Sequence, residues 1–373
     1  MKTTENQGIC SIPSLVMAAV LSGMGFVTHA SAQVQPHSYL IDLNTRTATD
    51  LGNVRATALN DTGQVVGQSY VTDHGFITGP NGVGMKDLGL LASIAVNNAG
   101  QVAGDYHPTP ESLARSFITG PNGVGITDLG MLPGGGDFSS VTDVNNAGQV
   151  VGSVCCFSPM GGGIAFIAGP NGGSMTRVAE GPGASYAYGI NDTGQVVGHV
   201  ETGPLMFQGF ITGPNGVGTT VFDTWDGIPY GINNAGQVVG VSYTAAGGHA
   251  FITGPNGVGM TDLGTLGGDY SSANDINDAG QVVGESSGRA FVTGRDGVGM
   301  MDLNSLVHLP GGLVMTDAVA INNSGQILVS AQILPAIPEP ESYALMLAGL
   351  VLTGVMVRHK QKADALEGVS YRA

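Results

Sequence analysis

The nine residues 276–284, INDAGQVVG, decide the fold, because close copies of them occur seven times along the chain. Every copy holds a glutamine at the same place, and the copies follow one another at intervals of about 44 residues. Repetition with a period of about 20–50 residues is typical of propellers and solenoids, in which each repeat is one supersecondary unit. The glutamines that mark the copies are Gln64, Gln101, Gln149, Gln195, Gln237, Gln281 and Gln326.

A second phrase, AFITGPNGVG at residues 250–259, precedes most copies of the first, and an Asp-Leu dipeptide follows it in most units. A diverged form of the second phrase, SYLID at residues 38–42, starts the array. The fourth and fifth units lack Asp-Leu and read Arg177-Val178 and Val221-Phe222 instead. The phrases centre on Phe76, Phe117, Phe166, Phe210, Phe251 and Phe291, and the aspartates are Asp50, Asp87, Asp128, Asp262 and Asp302.

Each unit is predicted to form four short strands joined by tight turns. In the unit quoted first, the strands cover residues 250–253, 259–263, 273–276 and 281–284. Gly-Pro-Asn-Gly joins the first two, since proline presets φ for a turn and Asn-Gly accepts positive φ at little cost. The apolar residues of the strands are consecutive rather than alternating, which predicts a sheet that is covered on both faces.

Four antiparallel strands in every ~44 residues describe a propeller blade, so the sequence predicts an all-β, seven-bladed β-propeller over residues 33–332. Closure into a ring removes exposed sheet edges. The N-terminal strand is expected to complete the last blade, because the chain enters the array near Ser38 and leaves it near Ser330. The alternative is an open β-solenoid, but its rungs connect parallel strands and fit the hairpin signals less well.

The recurring phrases resemble the HAF repeat of bacterial extracellular proteins. His249-Ala250-Phe251 matches the three residues that give the repeat its name, and His74-Gly75-Phe76 comes close. The resemblance covers roughly residues 38–330. It implies an extracellular location and carries no molecular activity over to this chain.

The first 32 residues are predicted to be a secretory signal peptide. Lys2 supplies a positive charge, residues 12–27 are apolar and small, and Ala30 and Ala32 form an Ala-x-Ala pattern, so cleavage is expected after Ala32. An uncleaved membrane anchor is the alternative, although a spanning helix needs about 20 apolar residues.

The last 41 residues, 333–373, are predicted to be a sorting segment in three parts. Pro338-Glu339-Pro340 is followed by a predicted transmembrane helix at residues 343–357 and then by the basic stop Arg358, His359 and Lys360. Fifteen helical residues span only about 22 Å, whereas the hydrocarbon core measures about 30 Å. The helix therefore suits a transient anchor whose basic end stays in the cytoplasm, and a plain membrane anchor is the alternative.

This segment resembles the PEP-CTERM sorting signal of Gram-negative bacteria that make exopolysaccharide and biofilm. The resemblance implies that an exosortase-type membrane enzyme recognises Pro338-Glu339-Pro340 and processes the tail. It also implies export through the inner membrane to the cell surface or the extracellular matrix. This chain departs from the family in continuing through residues 361–373 after the basic cluster.

Acidic residues dominate the charge, with 28 Asp and Glu against 12 Lys and Arg and a formal net charge of -16. This balance excludes a nucleic-acid-binding protein, whose affinity comes mainly from Lys and Arg contacts to phosphate. Of the three cysteines, Cys10 lies in the predicted leader. The adjacent Cys155 and Cys156 are either small loop residues or a strained vicinal disulfide.

The predicted fold separates constant turns from variable connections. The Gly-Pro-Asn-Gly and Asn-Asp-Ala-Gly turns should share one face of the ring, and the variable connections the other, where binding residues usually lie. The aromatic side chains best placed there for a ligand such as exopolysaccharide or an envelope protein are Tyr106, His107, Phe157, Trp225 and Tyr230. Ordinary loop packing is the alternative role for each.

Catalysis has little support in the sequence, so the protein is predicted to be non-enzymatic, with no cofactor and no metal. It has no nucleophile elbow, zinc-protease motif or phosphate loop. Asp275, Asn277 and Gly280 share part of a calcium-loop spacing, but Ala279 occupies a ligand position. The recurrent aspartates are expected to bind nearby backbone. The alternative function is a secreted propeller glycoside hydrolase or polysaccharide lyase, which requires convergent carboxylates at one end of the ring.

Overall fold

The computed structural model describes residues 350, 351, 353 and 356–358, and residues 37–333 without 90, 110, 134–137, 156–161, 180–182, 204–205, 223–226 and 245–246. The predicted signal peptide with Ala30 and Ala32, the Pro338-Glu339-Pro340 motif, and His359 and Lys360 lie outside these residues. The described residues near the C-terminus, including Arg358, are helical. Across the described ranges, no helix is both long and apolar enough to cross a bilayer.

The described strands form four-stranded antiparallel sheets, each of which is one blade of a seven-bladed propeller. The chain begins with β1 (His37–Asp42) and β2 (Thr47–Gly52). Blade 1 then contains β3 (Val54–Leu59), β4 (Val65–Ser69), β5 (Gly75–Thr78) and β6 (Met85–Gly89). Blade 2 contains β7 (Leu91–Val96), β8 (Val102–Tyr106), β9 (Arg115–Gly120) and β10 (Val124–Asp128). Blade 3 contains β11 (Phe138–Val144), β12 (Val150–Cys155), β13 (Ile164–Ala168) and β14 (Met175–Arg177).

The remaining blades repeat this pattern. Blade 4 contains β15 (Ser185–Ile190), β16 (Val196–Gly203), β17 (Met206–Thr212) and β18 (Thr219–Val221). Blade 5 contains β19 (Gly227–Ile232), β20 (Val238–Thr244), β21 (Gly247–Thr253) and β22 (Met260–Asp262). Blade 6 contains β23 (Ser271–Ile276), β24 (Val282–Ser286), β25 (Arg289–Thr293) and β26 (Met300–Asp302). Blade 7 combines β27 (Val314–Ile321) and β28 (Gln326–Gln332) with β1 and β2.

Single turns of 3-10 helix follow the third strand of several blades. Within them the middle residue has a left-handed conformation, as at Asn256 with φ 56° and ψ 32°, which explains the Asn-Gly of the repeat. These turns are Pro80–Gly82, Pro121–Gly123, Pro214–Gly216, Pro255–Gly257 and Arg295–Gly297, and two further turns lie at Leu303–Ser305 and Pro310–Gly312.

Both ends of the described array build blade 7, so the prediction that the N-terminal strand completes the last blade is confirmed. β1 pairs antiparallel with β28, and Tyr39 lies opposite Val329. The sequence repeat and the blade are consequently out of phase. Each sequence unit supplies the two outer strands of one blade and the two inner strands of the next, because the chain enters the ring at a third strand.

The core lies within the sheets and between adjacent blades. Val282, Val283 and Phe291 are completely buried, and Val239 and Ile252 of blade 5 pack in one cluster with Val282 and Phe291 of blade 6. Consecutive apolar residues are therefore covered on both faces, as the sequence predicts.

A β-bulge recurs in the innermost strand of every blade, where the register against the second strand shifts by one residue. A bulge leaves one residue unpaired and re-aims its side chain. Together the unpaired residues line an axial cavity of about 280 Å³. They are Thr57, Ile94, Thr142, Tyr188, Tyr230, Asn274 and Val319.

Candidate functional site

The two kinds of tight turn meet on one face of the ring, which we name the repeat face. In blade 1, the Gly82 N–H of the Gly-Pro-Asn-Gly turn donates to the carbonyl oxygen of Gly63 in the Asn-Asp-Thr-Gly turn, at 2.8 Å. Because neighbouring strands are antiparallel, the connections between second and third strands, and between blades, lie at the opposite end. We name that end the variable face.

On the repeat face, the first asparagine of each INDAGQ copy joins its blade to the next. Asn97 Nδ2 donates to Gln101 Oε1 at 2.8 Å and to the carbonyl oxygen of Asn145 in the next blade at 3.1 Å, and Asn97 Oδ1 accepts from the Gln101 N–H. The series closes on itself, since Asn322 Nδ2 donates to the carbonyl oxygen of Asn60 at 2.9 Å. The members are Asn60, Asn97, Asn145, Asn191, Asn233, Asn277 and Asn322.

The next residue of each copy forms a second ring of bonds. The Asp61 N–H donates to Asn98 Oδ1 at 2.9 Å, and the pattern continues around the axis until the Asn323 N–H donates to Asp61 Oδ1 at 2.9 Å. The members are Asp61, Asn98, Asn146, Asp192, Asn234, Asp278 and Asn323. The sequence pattern predicts only a turn for this stretch. Its recurrence in every copy was the available signal for a bond made between blades.

The recurrent aspartates bind nearby backbone, as expected. Asp87 Oδ1 accepts from the Gly89 N–H at 2.6 Å, and Asp87 Oδ2 contacts His74 Nδ1 at 2.9 Å. Two hydrogen bonds lower the pKa of Asp87. The bond from the Gly89 N–H has the larger effect, and the bond to His74 has the smaller one. The equivalent His249 contacts Asp262 at 2.8 Å, so the histidine of the HAF phrase pairs with the Asp of Asp-Leu.

Other acids link blades from the inside. Asp143 Oδ2 accepts from the Ile190 N–H of the next blade at 3.0 Å, and Asp275 Oδ2 accepts from the Ile321 N–H at 2.8 Å. Burial raises the pKa of Asp143 to about 7 and that of Asp275 to about 6. Both carboxylates are occupied by backbone donors, so their arrangement is structural. Among the described residues, no group of three or more His, Cys, Asp or Glu side chains is arranged to hold a metal ion.

On the variable face, blades 4 to 6 carry a group of rings that we name the aromatic row. The row consists of Phe207, His199, Tyr186, Tyr188, Tyr230, Tyr243 and Tyr270.

His199 holds one end of the aromatic row together. Its ring centroid lies 5.0 Å from that of Tyr186, 5.5 Å from that of Tyr188 and 5.1 Å from that of Phe207. The Tyr188 hydroxyl and His199 Nδ1 are 3.0 Å apart. Burial lowers the pKa of His199, an effect that Glu201 opposes, so the imidazole is neutral at neutral pH.

The row continues from the axis to the surface through tyrosines. Tyr188 and Tyr230 meet edge to face with centroids 5.7 Å apart. Burial raises the pKa of Tyr230 to about 12, and the neighbouring Tyr243 and Tyr270 add to the shift. Tyr243 is 51% exposed and Tyr270 is 39% exposed, so this end of the row presents ring surface to solvent.

The aromatic residues predicted to bind a ligand lie in separate places in the structure. Tyr106 ends β8 and donates its hydroxyl hydrogen to Asp128 Oδ2 at 2.7 Å. His107 Nδ1 lies 2.9 Å from the Ser112 carbonyl oxygen, and both selected residues line a groove beside blade 1. Tyr230 lies on the inner strand β19 and belongs to the aromatic row. Phe157 and Trp225, like Cys156, lie outside the described residues.

Six members of the aromatic row were not predicted from the sequence. Tyr188 and Tyr230 occupy the bulge position, where blades 1 and 2 have Thr57 and Ile94. A departure from the repeat at this position was the available signal. The sequence pattern does not reveal the bulge, so the importance of this position could not be recognised from the sequence alone. The missed residues are Phe207, Tyr186, Tyr188, Tyr243 and Tyr270, together with His199.

No family model matches the chain, and no curated protein matches it. Among solved structures, an acylaminoacyl peptidase from Pyrococcus horikoshii is 12% identical, with a TM-score of 0.51 over 73% of this chain and 48% of that chain. A prolyl endopeptidase structure is 11% identical, with a TM-score of 0.50 over 76% of this chain and 45% of that chain. The β-propeller domain of the Trilobed protease from Pyrococcus furiosus is 12% identical, with a TM-score of 0.49 over 69% of this chain and 86% of that chain. This chain spans about half the length of the two peptidases, and likeness at these identities concerns the fold alone.

Proposed function

We propose that the protein is an exported, non-enzymatic component of the bacterial surface or extracellular matrix that binds a glycan through the aromatic row. The observation that carries this proposal is the collection of rings from three blades on the variable face, ending in the exposed Tyr243 and Tyr270. Aromatic rings offer large apolar faces with polar tips, which match the C–H faces and hydroxyls of a sugar.

The fixed positions of two rings within the row support a binding role. Tyr188 and His199 hold one another by a hydrogen bond and by ring contact, so their side chains are positioned before a ligand arrives. Preorganisation reduces the entropy lost on binding. A repetitive ring that places distinct side chains on one face is a rigid scaffold of the kind on which binding residues are usually displayed.

The binding prediction is tested with purified protein and a panel of polysaccharides. Tyr243→Ala and Tyr270→Ala are each expected to weaken glycan binding by about 5- to 150-fold, since stacking on an aromatic ring contributes about 1–3 kcal/mol by alanine substitution. Isothermal titration calorimetry measures the affinity. Tyr70→Ala is the matched control, because Tyr70 is 46% exposed and belongs to blade 1. Equal affinities in all variants would contradict the assignment of the site to the row.

One observation favours the alternative of a glycoside hydrolase. Asp317 and Glu285 lie beside Tyr270, and burial, followed by the charge of Glu285, raises the pKa of Asp317. A carboxyl group with a raised pKa next to a second carboxylate is the arrangement of glycosidase acids. Asp317 Oδ1 accepts from Asn274 Nδ2 at 2.7 Å, which gives it a structural role as well. Reducing ends released from the bound polysaccharide would overturn the non-enzymatic proposal.

The export part of the proposal rests on the two chain ends and on the resemblance of the C-terminal segment to PEP-CTERM signals. An exosortase-type enzyme is the proposed partner at Pro338-Glu339-Pro340, and the helix at residues 343–357 is the proposed transient anchor. Mass spectrometry of the mature protein is expected to give an N-terminus at Gln33 and a chain shortened near the Pro-Glu-Pro motif. An intact C-terminus in the exported protein would contradict processing.

A further inference from the structure

We propose that the aromatic row selects glycans that carry positively charged amino groups over neutral and anionic glycans. This inference rests on the proposed function, because it names the chemical class of ligand for the same site. It follows from the charges that surround the rings.

The segment that supplies the whole row is free of strong bases. Residues 178–288 contain no Lys and no Arg, although they make up nearly a third of the chain. Their acids are Glu180, Asp192, Glu201, Asp223, Asp226, Asp262, Asp269, Asp275, Asp278 and Glu285. A surface of one sign of charge attracts ligands of the opposite sign and repels like charges.

Carboxylates lie at both ends of the row. Glu201 stands opposite Phe207 in the β16–β17 register and acts electrostatically on His199. At the other end, Glu285 stands opposite Ser272 in the β23–β24 register, two residues from Tyr270, and acts electrostatically on Tyr270. An extended glycan that follows the rings from Phe207 to Tyr270 would therefore pass acidic groups at each end.

No basic group of the row compensates these acids. Burial lowers the pKa of His199 and so favours its neutral form, and the nearest arginine in sequence, Arg289, pairs with Asp302 at 3.3 Å. In blade 2, Arg115 is likewise paired, with Asp128 at 3.0 Å. An anionic sugar such as a uronate would meet unopposed carboxylates.

The rings themselves favour a cation. Tyrosine faces attract ammonium groups within about 6 Å of the ring centroid. Tyr243 and Tyr270 present exposed ring surface near Glu285, so an amino sugar stacked there would be close to both a ring and a carboxylate. A neutral sugar would use the ring alone.

The test compares three oligosaccharides of equal length at pH 5.5, where the amines are charged. The probes are β-1,4-linked hexaglucosamine, its fully N-acetylated counterpart and hexagalacturonate. The secreted protein is expected to bind hexaglucosamine about tenfold more tightly than the acetylated form, as one exposed ion pair and one cation–π contact together would give. Hexagalacturonate is expected to bind most weakly, and the preference should shrink at 0.5 M salt.

Matched variants locate the effect. The double variant Glu201→Gln and Glu285→Gln is expected to bring the affinities for the charged and acetylated hexamers within about threefold of each other. Each exposed ion pair contributes little binding free energy, but both carboxylates favour the charged hexamer, so removing both should remove most of the preference. Glu111→Gln, in the exposed connection of blade 2, is expected to leave the preference unchanged. Circular dichroism confirms that each variant is folded.

The possible outcomes distinguish failure of this inference from failure of the proposed glycan binding. If no hexamer binds, glycan binding itself fails. If the acetylated or the anionic hexamer binds as tightly as hexaglucosamine, the row binds glycans and the selectivity for amino groups is wrong. If hexalysine competes as effectively as hexaglucosamine, charge alone is recognised and the glycan class is wrong. Tight, salt-sensitive binding of hexaglucosamine that depends on Glu201 and Glu285 supports the inference.

Discussion

Gly240→Ala is expected to lower the free energy of unfolding by more than about 4 kcal/mol, a loss that few single substitutions cause. A Cβ at this position would lie 2.0 Å from the carbonyl oxygen of Ile228 and 2.8 Å from the Cα of Pro229. Both are backbone atoms of the inner strand just before its bulge, so they cannot move aside without breaking the pairing of β19 and β20. The final glycine of the INDAGQVVG phrase is therefore explained by close backbone approach.

Chemical denaturation measures this loss, with Gly203→Ala as the control. A Cβ on Gly203 meets only the Met206 side chain, at 3.5 Å, so this variant should change stability by less than about 1 kcal/mol. Blade 7 supplies a natural comparison, because Val329 stands at the equivalent position and β27 has a second register shift between Met315 and Asp317. Equal stability of the two glycine variants would refute the steric explanation.

Asn97→Ala is expected to lower the free energy of unfolding by about 3–5 kcal/mol, because it leaves several buried groups without a partner, each at about 1–3 kcal/mol. The groups are the Gln101 N–H, Gln101 Oε1 and the Asn145 carbonyl oxygen of the next blade. Asn97 is only 3% exposed, so water cannot replace the lost bonds fully.

The adjacent Asn98 is the matched control for this substitution. Asn98 is exposed, and its side chain exchanges bonds with Asp61 at the edge of the axial cavity, where water is available. Asn98→Ala is expected to cost less than about 1 kcal/mol. Thermal and denaturant unfolding of both variants measure the difference. A smaller loss for Asn97→Ala than for Asn98→Ala would show that the buried ring of asparagines is not a main source of stability.

The fold could be predicted because the same sequence pattern occurs seven times along the chain. Seven copies of the same turn and strand pattern indicate the number of blades, the strand count in each and the direction of neighbouring strands. The phase between repeat and blade was not predictable in this way, because any cyclic shift of a repeat gives the same sequence pattern. Only the pairing of β1 with β28 places the boundary.

The candidate site was predictable only in part. Tyr230 was selected as a binding residue, but its neighbours in space come from different strands and were not recognised. The bulge that aims Tyr188 and Tyr230 at the axis arises from how two strands pair, and no local sequence feature marks it. Aromatic residues of the predicted loops, such as Tyr106, stand out from the repeat, yet Tyr106 ends β8 and donates its hydroxyl hydrogen to Asp128.

The shared construction of blade 7 makes completeness of the chain a condition for a finished ring. Ser38 pairs with Ser330, so this contact joins residues from the two ends of the array. During synthesis β1 and β2 emerge first and can pair with each other, but β1 lacks its second partner until β28 follows, and such long-range contacts form slowly. A prematurely ended chain would keep β1 with an open hydrogen-bonding edge, which is a signal for proteolysis or aggregation. The same pairing that closes the ring thus distinguishes finished molecules from truncated ones.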